Sequence, residues 1–484
     1  MATAGSGWAP RCDVAGPASL VFRRTSALVP ESSVTSLAAA VHAAPHGAAI
    51  DPSTLAAWVT RAPPNRVHAT PYVGIEVDHV TVPPRARARS IPSHAEAPAF
   101  LRRALTDAVD RALAGVKRVA ILAGGGLDSS VLLGLATDWA KRTGGSAFAV
   151  SLDFESEGDD RPHLAALERH LGCEVIRVAP EEAAPRISLL TTGIDAVPVP
   201  FSSMPMEIEL RARARSHGAE RVLCGGGGDE LFGGGPHSLS EIAWRGHPVR
   251  AMRAARRLDG FGHPRSPAWS WVVRPLLGRV LPRRIRQWRA RRQPPYESPS
   301  WLGPVARSFL AESRRRDDER AGRPPRDAAQ RFAATRDDPH RVVLAWVRHQ
   351  QMLASGVDAW DPYLDLDLAS AVTSLPPDYL LFGDRWRGLL RAAASDLLPE
   401  SLRERMDKAY FEPALQRFMT AAGGLESLRP YASGRVLASL GLVEPAAFER
   451  AFEAFVARPD DGLAWVTLWS ALSIEAFLRG RESS

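Results

Sequence analysis

Lysine is almost missing from this chain. Lys117, Lys141 and Lys408 are its three lysines, and the other 58 of its 61 basic residues are arginines. Cysteine is as scarce: Cys12, Cys173 and Cys224 form no Cys-x-x-Cys pair, which excludes a disulfide-stapled secreted fold and points to a reducing cytoplasm. No apolar run reaches the roughly 18 residues of a membrane span. Residues 1–20 hold no basic segment followed by an apolar core, so no secretory signal is expected. Histidines occur without His-Glu-x-x-His spacing, so no zinc site is expected. The formal charge of +7 comes with a strong arginine bias and abundant alanine, glycine and proline. That skew reads as coding bias, and without a nucleic-acid-binding signature it is no argument for a DNA or RNA partner.

What remains is ordinary globular material: 484 residues, 45% hydrophobic and 24% charged, enough for two or three domains. Residues 1–95 are the least regular part, with short apolar runs broken by Pro, Gly and Ser, and predict a small β-rich arm. Phe100, Leu101, Leu105, Val109 and Leu113 share one face of a helix over 99–116. Apolar runs at 119–122, 147–154, 174–178 and 221–224 then alternate with helical patterns at 129–142, 164–171 and 207–216. That alternation predicts an α/β fold built on a parallel sheet. Residues 240–330 cluster arginines and tryptophans between prolines, and 331–484 read as mainly helical.

Two glycine-rich stretches carry the chemistry. Ala123-Gly124-Gly125-Gly126-Leu127-Asp128-Ser129-Ser130 ends a strand and opens a helix. Glycines let backbone approach a ligand closely, and a helix N-terminus offers amides to an anion. Asp128 would hold magnesium on phosphates, with Ser129 and Ser130 as hydroxyl donors. The pattern is neither a Walker loop nor a dinucleotide fingerprint. A glycine turn that merely caps a helix has the same residues. The second stretch, Gly225-Gly226-Gly227-Gly228-Asp229-Glu230-Leu231-Phe232, follows the strand at 221–224. In a parallel sheet both loops leave at the carboxyl edge, where ligands bind, and two aspartates would share one magnesium triphosphate.

These stretches resemble the pyrophosphate loop and second nucleotide motif of the asparagine synthetase family. Pro362-Tyr363-Leu364-Asp365, Arg387-Gly388-Leu389-Leu390-Arg391 and Arg405-Met406-Asp407-Lys408-Ala409-Tyr410-Phe411 are similar too, in matching order over roughly residues 55–420. The resemblance implies a nucleotide-binding synthetase domain of the PP-loop, adenine nucleotide α-hydrolase-like kind over 96–484, with a helical C-terminal part. It implies that a carboxylate is adenylated by ATP, that pyrophosphate leaves, and that an amine attacks the acyl-adenylate. It further implies ATP and Mg2+ as cofactors, magnesium ligands at Asp128 and Asp229, and nucleotide contacts at Gly124, Gly125, Gly126, Ser129, Ser130, Gly227 and Gly228. Leu152, on the strand at 147–154, falls on the adenine edge. Lys408 would stabilise charge on the α-phosphate, and Asp358 aligns with a family glutamate near the acceptor amine, where it would act as general base. Tyr363 and Tyr410 read as structural before catalytic.

Three departures shape the expected substrate. Gly124 stands where the loop has its first serine, a loss of about 1–2 kcal/mol of hydrogen bonding. Gly226 replaces a glutamate, and Asp358 shortens one, so free aspartate is a poor candidate. Residue 2 is Ala2, not the nucleophilic cysteine of glutamine-dependent members, so 1–95 reads as a degenerate, truncated glutaminase-like region without glutaminase activity. Branches without glutaminase include β-lactam synthetases and lasso-peptide macrolactam synthetases. The Arg/Trp-rich insert is more like the second: it would hold a precursor peptide carrying carboxylates, unless it is a solvated helical elaboration. The expectation is macrolactam closure of a precursor peptide, with a leader-binding protein or leader peptidase as partner and with no nucleic acid or membrane involved. The alternatives are ammonia-dependent asparagine synthesis and another small-molecule amide or β-lactam synthetase.

Overall fold

The computed structural model describes residues 21–24, 36–42, 49–62, 69–78, 91–156, 159–232, 235–257, 268–282, 284–285, 298–320, 330, 340–405, 411–459 and 462–482. Strands are β1 (Val21–Arg24), β2 (Ile75–Asp78), β3 (Arg118–Leu122), β4 (Ser146–Leu152), β5 (Val175–Val178), β6 (Arg221–Leu223) and β7 (Asp358–Trp360). The helices that position the site are α1 (Leu37–His42), α2 (Pro52–Thr60), α3 (Ala97–Ala112), α4 (Leu127–Thr143), α5 (Arg161–Leu171), α6 (Met204–Ser216) and α7 (Gly228–Phe232). They continue with α8 (Gly235–Trp244), α9 (Pro248–Arg257), α10 (Pro304–Arg320), α11 (His340–Ser355), α12 (Leu366–Ser374), α13 (Gly388–Ala393) and α14 (Gly462–Glu482).

Five strands form one parallel sheet in the order β5-β4-β3-β6-β7. Alternation along β3 sorts its side chains between two layers. Val119 and Ile121 pack with α3 and α4, whereas Ala120 faces Phe148, Val150 and the Leu210 and Ala214 side of α6. Buried on both faces, these strands read as continuous apolar runs. The chain winds outward from β3 to β5, then returns to the other side of β3 to lay down β6 and β7. The carboxyl ends of β3 and β6 therefore flank a topological switch point, the crevice where such sheets bind ligands.

The strand at 358–360 lies within what the sequence predicts as helical. Three residues are too few to show a period, and only pairing with β6 makes them a strand. The N-terminal arm holds the antiparallel pair β1–β2 and also two helices, α1 and α2. Leu37, Leu55 and Trp58 of the arm share one core with Trp301, in the turn before α10, and with Phe418, Phe448 and Trp469 of the C-terminal helices. Burial of each such side chain contributes about 1.5–3 kcal/mol.

The arm is also tied down by a polar hub. Asp195 accepts hydrogen bonds from Ser36 Oγ (2.6 Å), from the Leu37 and Ala38 amides at the start of α1, and from His349 Nε2 (2.9 Å). Asp195 and Ala196 both have positive φ, a costly backbone for non-glycine residues. The surrounding bonds hold that turn, among them Gln350 Nε2 to the carbonyls of Val197 and Pro198.

Candidate active site

The first glycine loop joins β3 to α4. Gly126 is the N-cap of α4 and supplies no side-chain cap, so the dipole and first-turn amides are offered outward. A Cβ at Gly126 would meet nothing within 4 Å, whereas Gly125 has φ +78° and its Cβ would lie 2.9 Å from the Asp160 carbonyl oxygen. The Ser130 hydroxyl is fully buried and has no hydrogen-bond partner among the described residues. Ser129 Oγ donates to the Gly126 carbonyl at 3.3 Å.

The second loop leaves β6 and is locked to the first. A Cβ at Gly228 would fall 2.6 Å from Asp128 Cγ, so only glycine lets the two loops come this close. Gly226 donates its amide to Asp361 Oδ1 at 3.0 Å, and Asp361 is in turn paired with Arg348 of α11. Tyr363 is fully buried, donates to the Asp128 carbonyl at 2.8 Å and packs edge-on against Phe232. Burial pushes its hydroxyl pKa well above the usual value, so this tyrosine stays neutral and structural.

Three buried arginines stand behind the loops. Arg387 Nη1 donates to Asp128 Oδ1 at 2.7 Å while its other terminal nitrogen contacts Asp229, so one guanidinium joins an aspartate from each loop. Arg387 has φ 51°, left-handed backbone that holds it at the N-cap of α13. Arg405 donates to the Gly125 carbonyl (3.1 Å) and to Asp160 (2.5 Å). Burial raises the Asp160 carboxyl pKa, against the opposing pull of Arg405. Arg391 donates to the carbonyls of Trp386 (3.0 Å) and Arg405 (2.8 Å), and burial lowers its pKa.

The structure brings together Gly124, Gly125, Gly126, Asp128, Ser129 and Ser130 with Gly227, Gly228 and Asp229 at the switch point. Leu152 ends β4 at the same carboxyl edge. Asp358 lies apart from these residues. It opens β7, in register with Arg221 at the start of β6, and so lies at the amino edge of the sheet. Two residues of strand, about 7 Å of rise, separate it from Trp360, whose ring carries the Arg221 guanidinium. Asp361, at the other end of that strand, is the acid that reaches the loops. Lys408 and Tyr410 lie outside the described residues. Arg387 and Arg405 were visible only as motif members without a role, and Asp160 and Arg348 had no sequence signal.

The comparisons with known proteins bear on this geometry. The asparagine synthase family matches residues 100–479. The chain belongs to that family. No curated protein matches it. Among solved structures, it is similar to the U34-tRNA thiolase NcsA from Methanococcus maripaludis, at 13% identity over 55% of this chain and 88% of that one, with a TM-score of 0.25. It is also similar to NMN synthetase from Francisella tularensis, at 15% identity over 48% of this chain and 97% of that one, with a TM-score of 0.21. Asparagine synthase membership makes the chain an ATP-dependent amide-forming ligase.

The residues present fit the nucleotide. An open helix N-terminus, an orphaned buried hydroxyl at Ser130 and a glycine at each close approach are what a polyphosphate needs. They also fit magnesium, a hard cation usually held by one or two carboxylates plus substrate phosphates. No cluster of three or more metal-ligating side chains occurs among the described residues, so Asp128 and Asp229 would share the ion with the phosphates.

Proposed function

We propose that this ligase activates a peptide carboxylate as an acyl-adenylate and closes a macrolactam ring. The carrying observation is the joining of Asp128 and Asp229, one from each glycine loop, across the mouth of the switch-point crevice. In the first step a carboxylate oxygen attacks the α-phosphorus of ATP and pyrophosphate leaves. In the second an amine of the same peptide attacks the acyl carbon, AMP leaves, and the amine gives up its proton. Magnesium at the two aspartates would neutralise charge on the departing pyrophosphate. The amides of α4 and the Ser130 hydroxyl bind and orient the phosphates, and Lys408 is assigned the charge building on the α-phosphate.

The peptide part of the reading rests on the Arg/Trp-rich insert. The test is pyrophosphate release by the purified protein with Mg2+ and ATP, comparing candidate core peptides, aspartate plus ammonia, and no acceptor. Release with a peptide that loses the mass of one water is the expected result. Release with aspartate and ammonia instead would make the enzyme an asparagine synthase.

A further inference from the structure

The chain's positive charge is concentrated in one segment. Residues 245–292 hold fourteen arginines and a single acid, Asp259, a formal +13, so the rest of the chain sums to −6 against a total of +7. A bias of arginine over lysine decides which cation is used. It does not pile cations onto one stretch.

On α9 the structure shows which way two of those arginines face. Helices α8 and α9 fold onto each other, and Ala251, Ala254 and Ala255 of α9 are buried against Leu239, Ile242 and Trp271. The apolar face of α9 is therefore covered by protein. Arg253 and Arg256 are exposed on its other side, while Arg250 pairs with Asp378 at 3.0 Å. Trp244, Trp269 and Val280, in or next to helices that pack into the same small core, are 51%, 43% and 62% exposed. This small core also holds Leu381 and touches Trp386, the residue before Arg387. At its other end α8 begins three residues after the end of α7, which carries Asp229. Through that core the basic face of α9 packs near the residue that precedes Arg387, the arginine joining the two aspartates.

We propose that this surface docks an acidic segment of the peptide substrate, with carboxylates on the arginines and apolar side chains on the exposed tryptophans. The inference rests on the peptide-ligase reading and names what that substrate must carry. Arginine forks match carboxylates bidentately, and tryptophan supplies large contact area. A membrane is the poorer occupant, because a helix that lies in lipid needs its apolar face outward, and that of α9 is inward.

The test uses a short fluorescein-labelled peptide of alternating Glu and Leu, followed by anisotropy on the full-length protein. Its comparators are a Gln-for-Glu peptide, an oligothymidylate of matched length and phosphatidylglycerol vesicles. The double variant Arg253→Glu, Arg256→Glu alters exposed side chains outside the nucleotide site. It should bind the acidic peptide about tenfold more weakly, since two attractions become repulsions. Its affinity for a fluorescent ATP analogue with Mg2+ should match wild type. Peptide affinity unchanged by the double reversal overturns the docking surface. Equal or tighter binding of the oligonucleotide or the vesicles overturns the choice of an acidic peptide. Loss of ATP binding by the wild-type protein would sink the ligase reading separately, whatever the peptide does.

Discussion

Asp361 stands where a side chain on Gly226 would have to go. The Gly226 amide donates to its Oδ1 at 3.0 Å, and a Cβ built on Gly226 would lie 2.7 Å from that same oxygen. A carboxylate from the end of β7 thus occupies the space beside the second loop, at the position where the family resemblance leads one to expect a glutamate. Replacing the acid by Asn keeps an acceptor for the amide, whereas Ala removes both acceptor and charge. Asp361→Ala should lower stability by about 2–3 kcal/mol and raise the KM for ATP, with Asp361→Asn clearly milder. Urea unfolding and initial rates check this; an alanine variant indistinguishable from wild type would refute the role of Asp361.

Arg387 neutralises Asp128 and Asp229 together. Without its guanidinium, two carboxylates face one another across the loops, and a divalent cation becomes the remaining means of neutralising them. Arg387→Gln should have a lower Tm than wild type in chelator, and added Mg2+ should recover a larger part of it than it adds to wild type. Differential scanning fluorimetry across a magnesium series measures this without turnover. Equal magnesium responses in the two proteins would show that these aspartates do not take the ion.

The parallel sheet and both glycine loops were legible because their signals are local: apolar runs, then glycine, then a helix. The same locality explains what was not legible. Asp358 was assigned through its alignment with a family glutamate, and its place at the start of β7, in register with Arg221, was not visible in that alignment. Asp361, three residues on, carried no assignment. Asp160 reaches the first loop only because α5 begins there, and Arg348 reaches Asp361 only because α11 packs behind β7. Such pairings are set by strand order and helix packing, which no single stretch of sequence records.

The hub at Asp195 makes docking of the arm sensitive to acid. Burial alone would raise this carboxyl pKa, but hydrogen bonds from His349, Ser36 and the Ala38 and Leu37 amides outweigh it and hold it below the ordinary 3.8. A depressed carboxyl contributes stability that is fully present above the unfolded value and is lost as pH falls through the folded one. Wild-type stability should therefore drop on acidification from about pH 5 to about pH 3, and Asp195→Asn should lose less over that window. Urea midpoints at the two pH values decide it. Identical pH slopes would mean that Asp195 is not the group being titrated.

Gly125 and Gly126 are adjacent, yet they should answer alanine in opposite ways. At Gly125 a side chain would need left-handed backbone, φ +78°, and would press on the Asp160 carbonyl at 2.9 Å. Gly125→Ala should cost about 2–3 kcal/mol of stability from strain and overlap together. Gly126 has φ −74° and ψ 158°, ordinary for alanine, and a Cβ there would meet nothing within 4 Å. The entropy gained by stiffening the unfolded chain and the poorer N-cap nearly cancel, leaving stability within about 0.5 kcal/mol of wild type. The space that is harmless to the protein is the space a phosphate would use, so Gly126→Ala should weaken ATP binding while folding normally. Paired urea denaturation and ATP titration separate the two effects, and full ATP affinity in a well-folded Gly126→Ala would move the phosphates away from the start of α4.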